Sequence, residues 1–218
     1  MHRAPLPPAT ERLLRRLAVH PGPDLDVTAA GALAGPDATA ALAELLAAGL
    51  ITERRPGRFS LPEPAHPEPD ESARRPMLDH YLHTAYAAAT ALDPGRDRIA
   101  LTVTESFVDT AAARNWLEAE MPVLLALLRQ GNPPSYVWKV AWCVSGVLSR
   151  AERWPEQLRA QRAGIAAAVA DGDVDAQVLI SRDLGLACLR LGRPGLAEFH
   201  FRYARSLLPL GEDPGLPA

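Results

Sequence analysis

The 34 residues from Val178 to Gly211 constrain the fold more than any other stretch, because their small and large packing residues suit two helices in contact. Three small residues recur there, at Gly185, Ala197 and Ala204. The first two permit close approach of a pair of helices, and the third lets a neighbouring pair dock. Leu184 and Phe201 are large enough to fill the space between the helices. We therefore predict a helical hairpin, which Pro209 ends.

A less regular copy of this pattern precedes it by 40 residues. In that register Trp142–Ser145 falls on Arg182–Gly185. Gln157 stands where the later hairpin has the small residue Ala197. We expect another helical hairpin of the same shape, packed less typically. From Tyr136 onward the chain is thus predicted to be built of helix pairs.

Residues 1–61 predict a different kind of unit. Three short helical patterns stop at Gly or Pro signals, and a Pro56-Gly57 turn between two short apolar ends follows them. Three helices and a β-hairpin are typical of a winged-helix-like unit. In residues 62–76 prolines alternate with acidic residues, which favours an extended linker over a helix or a core.

The remaining boundaries follow from helical periodicity. An amphipathic pattern resumes at Met77, and residues 77–135 are expected to pack on the hairpins as a helical cap, since stable arrays usually need about three repeats. Pro122 predicts a kink or a fresh helix start within this stretch. Residues 136–211 form the hairpins, and 212–218 a flexible tail. The predicted fold class is all-α with one short β-hairpin.

The stretch 178–211 has the length of one tetratricopeptide unit and resembles that repeat family in its packing residues. Further pieces occur in order along the chain, at Leu6–Ala9, His20–Asp24, Leu45–Leu50, Leu78–Ala85 and Trp116–Glu120. Together they resemble the region after the ATPase in actinobacterial STAND-type regulators, which join an NB-ARC nucleotide-binding domain to tetratricopeptide repeats. The resemblance implies a non-catalytic adaptor that acts in regulation or assists a biosynthetic partner.

Two departures from that family bear on function. A nucleotide-binding loop needs Gly-Lys-Ser/Thr to hold phosphates, and the only lysine, Lys139, follows Trp138. The family's Met-His-Asp sensor would follow the hairpin, where this chain has Leu61-Pro62-Glu63. The resemblance therefore implies the binding half of a regulator, either as a stand-alone paralogue or as a trimmed piece of one.

In tetratricopeptide arrays the first helix of each pair lines a groove for extended peptides, and the resemblance implies the same here. The candidate binding residues in this register are Lys139, Trp142, Arg150, Arg182, Leu186 and Arg190. Four cations around an apolar strip suit a peptide with carboxylates, because a guanidinium can pair with a carboxylate through two hydrogen bonds. An ordinary solvated basic face is the alternative interpretation. Leu186 replaces an asparagine of the family's two-carboxylate clamp, so we expect a protein or peptide of acidic or mixed character.

A DNA-binding regulator is a second hypothesis. The recognition helix of the winged-helix-like unit would be Asp37–Ala48, and it contains no Arg, Lys, Asn or Gln to contact bases or phosphates. Arg54, Arg55 and Arg58 on the hairpin could touch a DNA backbone, although a solvated turn explains them equally. A net charge of -3 also argues against a nucleic-acid partner.

A small helical enzyme is a third hypothesis, with a pocket around His80 and His83. These two imidazoles share a helix face, but the sequence supplies no third metal ligand near them, so helix packing is favoured over a metal site. Cys143 and Cys188 are too few for a disulfide framework and lack metal-ligand spacing. No apolar run reaches the roughly 20 residues that span a bilayer, and the first residues lack the apolar core of a secretory signal. We expect a cytoplasmic protein without a cofactor or a membrane partner.

Overall fold

The computed structural model describes residues 6–35, 37–62 and 67–209. Within them the chain is mostly helical with one small three-stranded sheet, which confirms the all-α class with a short β-hairpin. The chain divides into two compact units, the first ending at Tyr81 and the second beginning at Leu82. No helix in the described part is long and apolar enough to cross a bilayer. The predicted tail, 212–218, lies outside the described residues.

The first unit contains three short helices and the sheet. Its elements are α1 (Pro8–Leu17), β1 (Leu25–Asp26), α2 (Val27–Ala34), α3 (Ala38–Ala47), β2 (Thr52–Arg55) and β3 (Arg58–Ser60). The helices pack on one another through buried leucines, among them Leu13, Leu42 and Leu45. Strand β3 lies between β1 and β2 and pairs antiparallel with both. The unit thus combines three helices with a three-stranded antiparallel sheet, of which the sequence did not predict the two-residue strand β1.

The C-terminal part of the predicted linker belongs to the first unit. The backbone N–H of Asp70 donates to the Arg15 carbonyl at 3.0 Å, and the Arg16 guanidinium pairs with the Asp70 carboxylate at 3.1 Å. Asp70 also caps a 3₁₀ turn at Glu71–Ala73, which leads directly into α4 (Arg74–Leu92). The linker therefore ends before residue 76, and α4 begins three residues before the predicted start at Met77. An acidic residue that sequence analysis assigned to a solvated linker instead acts as a helix cap.

His20 gives the first unit a pH dependence. Its Nε2 lies 2.7 Å from the Tyr81 hydroxyl, and burial lowers the pKa of the imidazole from 6.5 to about 4. Below pH 6.5 the His20 imidazole of the unfolded chain becomes protonated, whereas that of the folded chain stays neutral down to about pH 4. Acid therefore favours unfolding. We expect the free energy of unfolding to fall by about 2.5 kcal/mol from this group alone as pH drops from 6.5 to 4. Urea unfolding of wild type and His20→Gln across this range measures the difference; identical pH profiles would contradict the prediction.

The second unit is built of long helices. After the C-terminal part of α4 it contains α5 (Thr110–Leu127), α6 (Pro134–Arg150), α7 (Trp154–Asp171), α8 (Val174–Arg190) and α9 (Pro194–Ser206). Helices α6 to α9 pack each on the next, and α6 also contacts α8. Their connections are only two or three residues long, so successive helices run antiparallel and form two hairpins. Helix α5 packs on α6 and passes through Pro122 without a new helix start.

The hairpin of α8 and α9 is held together at the predicted small residues. Its core consists of Leu184, Cys188, Ala197, Phe201 and Ala204, together with Leu158 of α7. A Cβ atom added at Gly185 would stand only 2.3 Å from Cε1 of Phe201, so the phenyl ring lies directly against the α8 backbone. The close approach predicted for these two helices is confirmed.

The hairpin of α6 and α7 uses polar groups instead. Gln157 Nε2 donates to Ser145 Oγ at 3.1 Å, and Gln161 Nε2 donates to the Ala141 carbonyl at 2.8 Å. Both glutamines are buried. A Cβ atom added at Gly164 would lie 2.7 Å from the Ala141 Cβ, so a small residue brings α7 close to α6. The expected atypical packing is thus a pair of buried side-chain hydrogen bonds next to a glycine contact.

Candidate functional site

An open cavity of about 430 Å³ lies in the second unit, against α6 and α8. Four of the six predicted binding residues line it: Arg150, Arg182, Leu186 and Arg190. Arg182, Leu186 and Arg190 follow one another at single-turn spacing on α8, whereas Arg150 ends α6. Helical register brings the three α8 residues to one side of that helix, and the contact between α6 and α8 adds Arg150 to the same cavity.

Lys139 and Trp142 do not line this cavity. Trp142 is only 1% exposed, and its ring lies 5.6 Å from the Tyr86 ring and 4.1 Å from the Arg96 guanidinium. Lys139 is partly buried, with Nζ 5.2 Å from the Trp138 ring. The predicted binding role of Trp142 is therefore wrong, because the residues after α4 cover the position that it occupies on α6.

Residues 93–97, the segment after α4, are fixed to α6 and α8 by Arg96. Its Nη1 donates to the Trp142 carbonyl at 2.9 Å, and its Nη2 pairs with the Asp183 carboxylate at 2.6 Å. The two side chains of that ion pair are only 11% and 10% exposed. A charge pair this buried is costly to break by removing one partner. Arg96 thus holds the segment at the wall of the cavity.

Two of the predicted arginines already bind carboxylates of the same segment. Arg182 Nη1 lies 2.6 Å from Asp97 Oδ2, and Arg150 Nη1 lies 3.5 Å from Asp93 Oδ2. Both aspartates are well exposed to solvent, so these pairs add little to stability. They show nevertheless that a carboxylate fits against each guanidinium.

Arg190 differs from the other arginines of the cavity. Its guanidinium lies 5.8 Å from the Trp154 ring, and it has no carboxylate partner among the described residues. One turn before it, Leu186 is 41% exposed, although it is a large apolar side chain. The cavity thus combines an unpaired cation with an exposed apolar contact. Its lining has four arginines against two aspartates, which favours an anionic ligand.

The cavity has room because α6 carries a glycine beside it. Gly146 is the α6 counterpart of Leu186 in the 40-residue register. A Cβ atom there would lie 3.2 Å from Arg150 Nη2 and 3.7 Å from Arg96 Nη1. A large side chain at this position would therefore occupy the space between the two guanidinium groups.

Cys143 and His83 are two of the side chains that bear on the enzyme hypothesis. Burial raises the pKa of the Cys143 thiol to about 12 against the opposing charge of Arg96, so this cysteine is a poor nucleophile at neutral pH. Within the described ranges no three His, Cys, Asp or Glu side chains converge as a metal site would need. His83 Nδ1 lies 3.8 Å from Glu105 Oε1, a distance that suits a weak polar contact.

No protein-family model, curated protein or solved structure matches this chain.

Sequence analysis missed the residues that organise the cavity. The sequence Asp93-Pro94-Gly95 predicts only the end of a helix. Nothing in it indicates that the next residue, Arg96, bonds to residues 46 and 87 positions later. Asp183 lies on the buried side of α8, and only its charge at an inward position could have signalled a partner.

Proposed function

We propose that the second unit is a non-catalytic module that binds an acidic segment of a partner protein in the cavity against α6 and α8. The observation that carries this proposal is the position of Arg190, which has no carboxylate partner in the described part of the chain and lies beside the exposed side chain of Leu186. The carboxylates of Asp93 and Asp97 on the neighbouring arginines support an anionic ligand. A peptide carboxylate at Arg190 would gain a charge-assisted hydrogen bond, and an adjacent apolar side chain would cover Leu186.

We further infer that α6–α9 are two tetratricopeptide-like units and that the chain derives from a STAND-type regulator. The contact of α6 with α8, and the close approach of Gly185 to Phe201, support the repeat interpretation. A winged-helix arrangement followed by helical hairpins supports the derivation. On this proposal the chain acts in regulation or as an accessory protein, and its two buried free cysteines suit the reducing cytoplasm.

A protein partner is favoured over nucleic acid by the character of α3. This helix occupies the place of a winged-helix recognition helix, and its ten residues include no cation. Its one charged residue, Glu44, accepts a hydrogen bond from Thr10 within the first unit. A recognition helix without cations lacks the phosphate contacts that dominate DNA affinity.

The proposal is tested with fluorescein-labelled hexaglutamate, titrated with the full chain at low ionic strength and followed by fluorescence anisotropy. We expect measurable binding, and we expect Arg190→Gln to weaken it about fivefold, or about 1 kcal/mol, because one guanidinium–carboxylate contact is lost. Labelled hexalysine should not bind through this cavity.

Arg202→Gln is the matched control, because it also removes one exposed guanidinium, which pairs with Glu198 on α9. The proposal is wrong if hexaglutamate does not bind, or if Arg202→Gln weakens binding as much as Arg190→Gln does. The proposal is also wrong if Arg190→Gln binds hexaglutamate as tightly as wild type does.

A further inference from the structure

Two arginines of the cavity are held by carboxylates that stand four residues apart in one short segment. Asp93 pairs with Arg150 of α6, and Asp97 pairs with Arg182 of α8. Residues 93–97 thus contact the first helix of each hairpin, where an acidic peptide would also have to lie. The chain carries its own acidic segment on the proposed binding face.

The segment combines one firm anchor with two weak contacts. Arg96 has a side chain only 11% exposed, stacks on Trp142, and bonds to both α6 and α8. The Asp97 side chain is 63% exposed, so its pair with Arg182 is screened by water and is easily exchanged. Rotation of the Asp97 side chain alone would therefore free Arg182 for another carboxylate, while Arg96 keeps the segment in place.

We propose that residues 93–97 are an internal acidic ligand of the cavity, and that a partner's carboxylate replaces Asp97 on Arg182. This inference rests on the proposed function. The same partner segment would place a further carboxylate on Arg190, two turns along α8 and about 12 Å away. An extended peptide covers about 13 Å between residues four apart, with both side chains on one side of the strand. The ligand class is thus an extended segment with acidic residues at i and i+4, a pattern that hexaglutamate contains.

The exchange is tested by a double-mutant cycle on full-length protein, with fluorescein-labelled hexaglutamate as the probe. Asp97→Asn removes the internal competitor and should tighten binding about threefold. Arg182→Gln removes the guanidinium for which both carboxylates compete, and should weaken binding. In the Arg182→Gln background, Asp97→Asn should change affinity by less than about 1.5-fold, because Asp97 and the ligand no longer compete for a guanidinium.

Glu198→Gln is the control for net charge, since it removes another exposed acid that pairs with an arginine, at 3.3 Å on α9. The inference is overturned if Glu198→Gln tightens binding as much as Asp97→Asn does. It is also overturned if Asp97→Asn gives the same gain with and without Arg182, because the effect would then be long-range electrostatics. Failure of the proposed function looks different: Arg190→Gln would bind as wild type does, whatever the result of the cycle.

Discussion

Replacing Gly185 by alanine is expected to lower the free energy of unfolding of the second unit by about 2–3 kcal/mol. The added methyl group would stand 2.3 Å from Cε1 and 2.7 Å from Cδ1 of the Phe201 ring, far inside van der Waals contact. The ring is buried among Leu184, Cys188 and Ala204, so it cannot move aside without disturbing the hairpin core. This cost exceeds the roughly 1 kcal/mol that alanine gains over glycine in a helix. Urea unfolding followed by tryptophan fluorescence measures it, because all four tryptophans lie in the second unit.

Gly146→Ala is the matched control for this prediction, because it makes the same change on α6. Its added methyl group would lie 3.2 Å from Arg150 Nη2, the end of a long and exposed side chain that can move away. We expect this variant to gain about 0.5–1 kcal/mol from helix propensity. If both variants lose stability by the same amount, close contact with Phe201 is not the reason for the glycine at position 185.

The fold of the second hairpin could be predicted because residue volume is a local property of the sequence. The sequence places the small residues Gly185 and Ala197 and the large residue Phe201 at helical spacing. This pattern of sizes indicates which faces of the two helices meet. The first hairpin could be predicted only in outline. In the 40-residue register Gln161 takes the place of Phe201, and a polar side chain at an inward position resembles a solvated face until its partner is known. The acceptor is the backbone carbonyl of Ala141, and because every residue has such a carbonyl, the sequence cannot indicate this hydrogen bond.

The candidate site was predictable to the extent that it depends on one helix. The resemblance to tetratricopeptide arrays indicated which face of α8 to consider, and helical spacing puts Arg182, Leu186 and Arg190 together on that face, as they are in the structure. The same reasoning was wrong for Trp142, because a segment some 46 residues earlier in sequence folds over it through Arg96. Periodicity describes a helix and its faces, but which loop covers a face is a tertiary property.

Reversing both charges on α8, in Arg182→Glu/Arg190→Glu, is expected to lower the affinity for labelled hexaglutamate about 30-fold, or about 2 kcal/mol. Each substitution removes an attractive contact and introduces repulsion toward the ligand carboxylates. Glu at position 182 would also repel Asp97, so the variant should lose the internal ligand and the external one together. Binding is measured by anisotropy, and helix content by circular dichroism confirms that the variant is folded.

Arg159→Glu/Arg202→Glu changes the net charge by the same amount on α7 and α9, outside the cavity lining. Long-range attraction between a cationic protein face and an anionic peptide would make both double variants equally weak. A specific cavity would make only the α8 variant weak. The milder Arg182→Gln/Arg190→Gln, which avoids repulsion with Asp97, should then lose more binding free energy than Arg190→Gln alone and less than the charge-reversed pair. Because Arg182 and Arg190 lie two turns apart on one helix, a ligand that depends on both must span that distance. An equal loss of affinity in both charge-reversed double variants would rule out such a ligand.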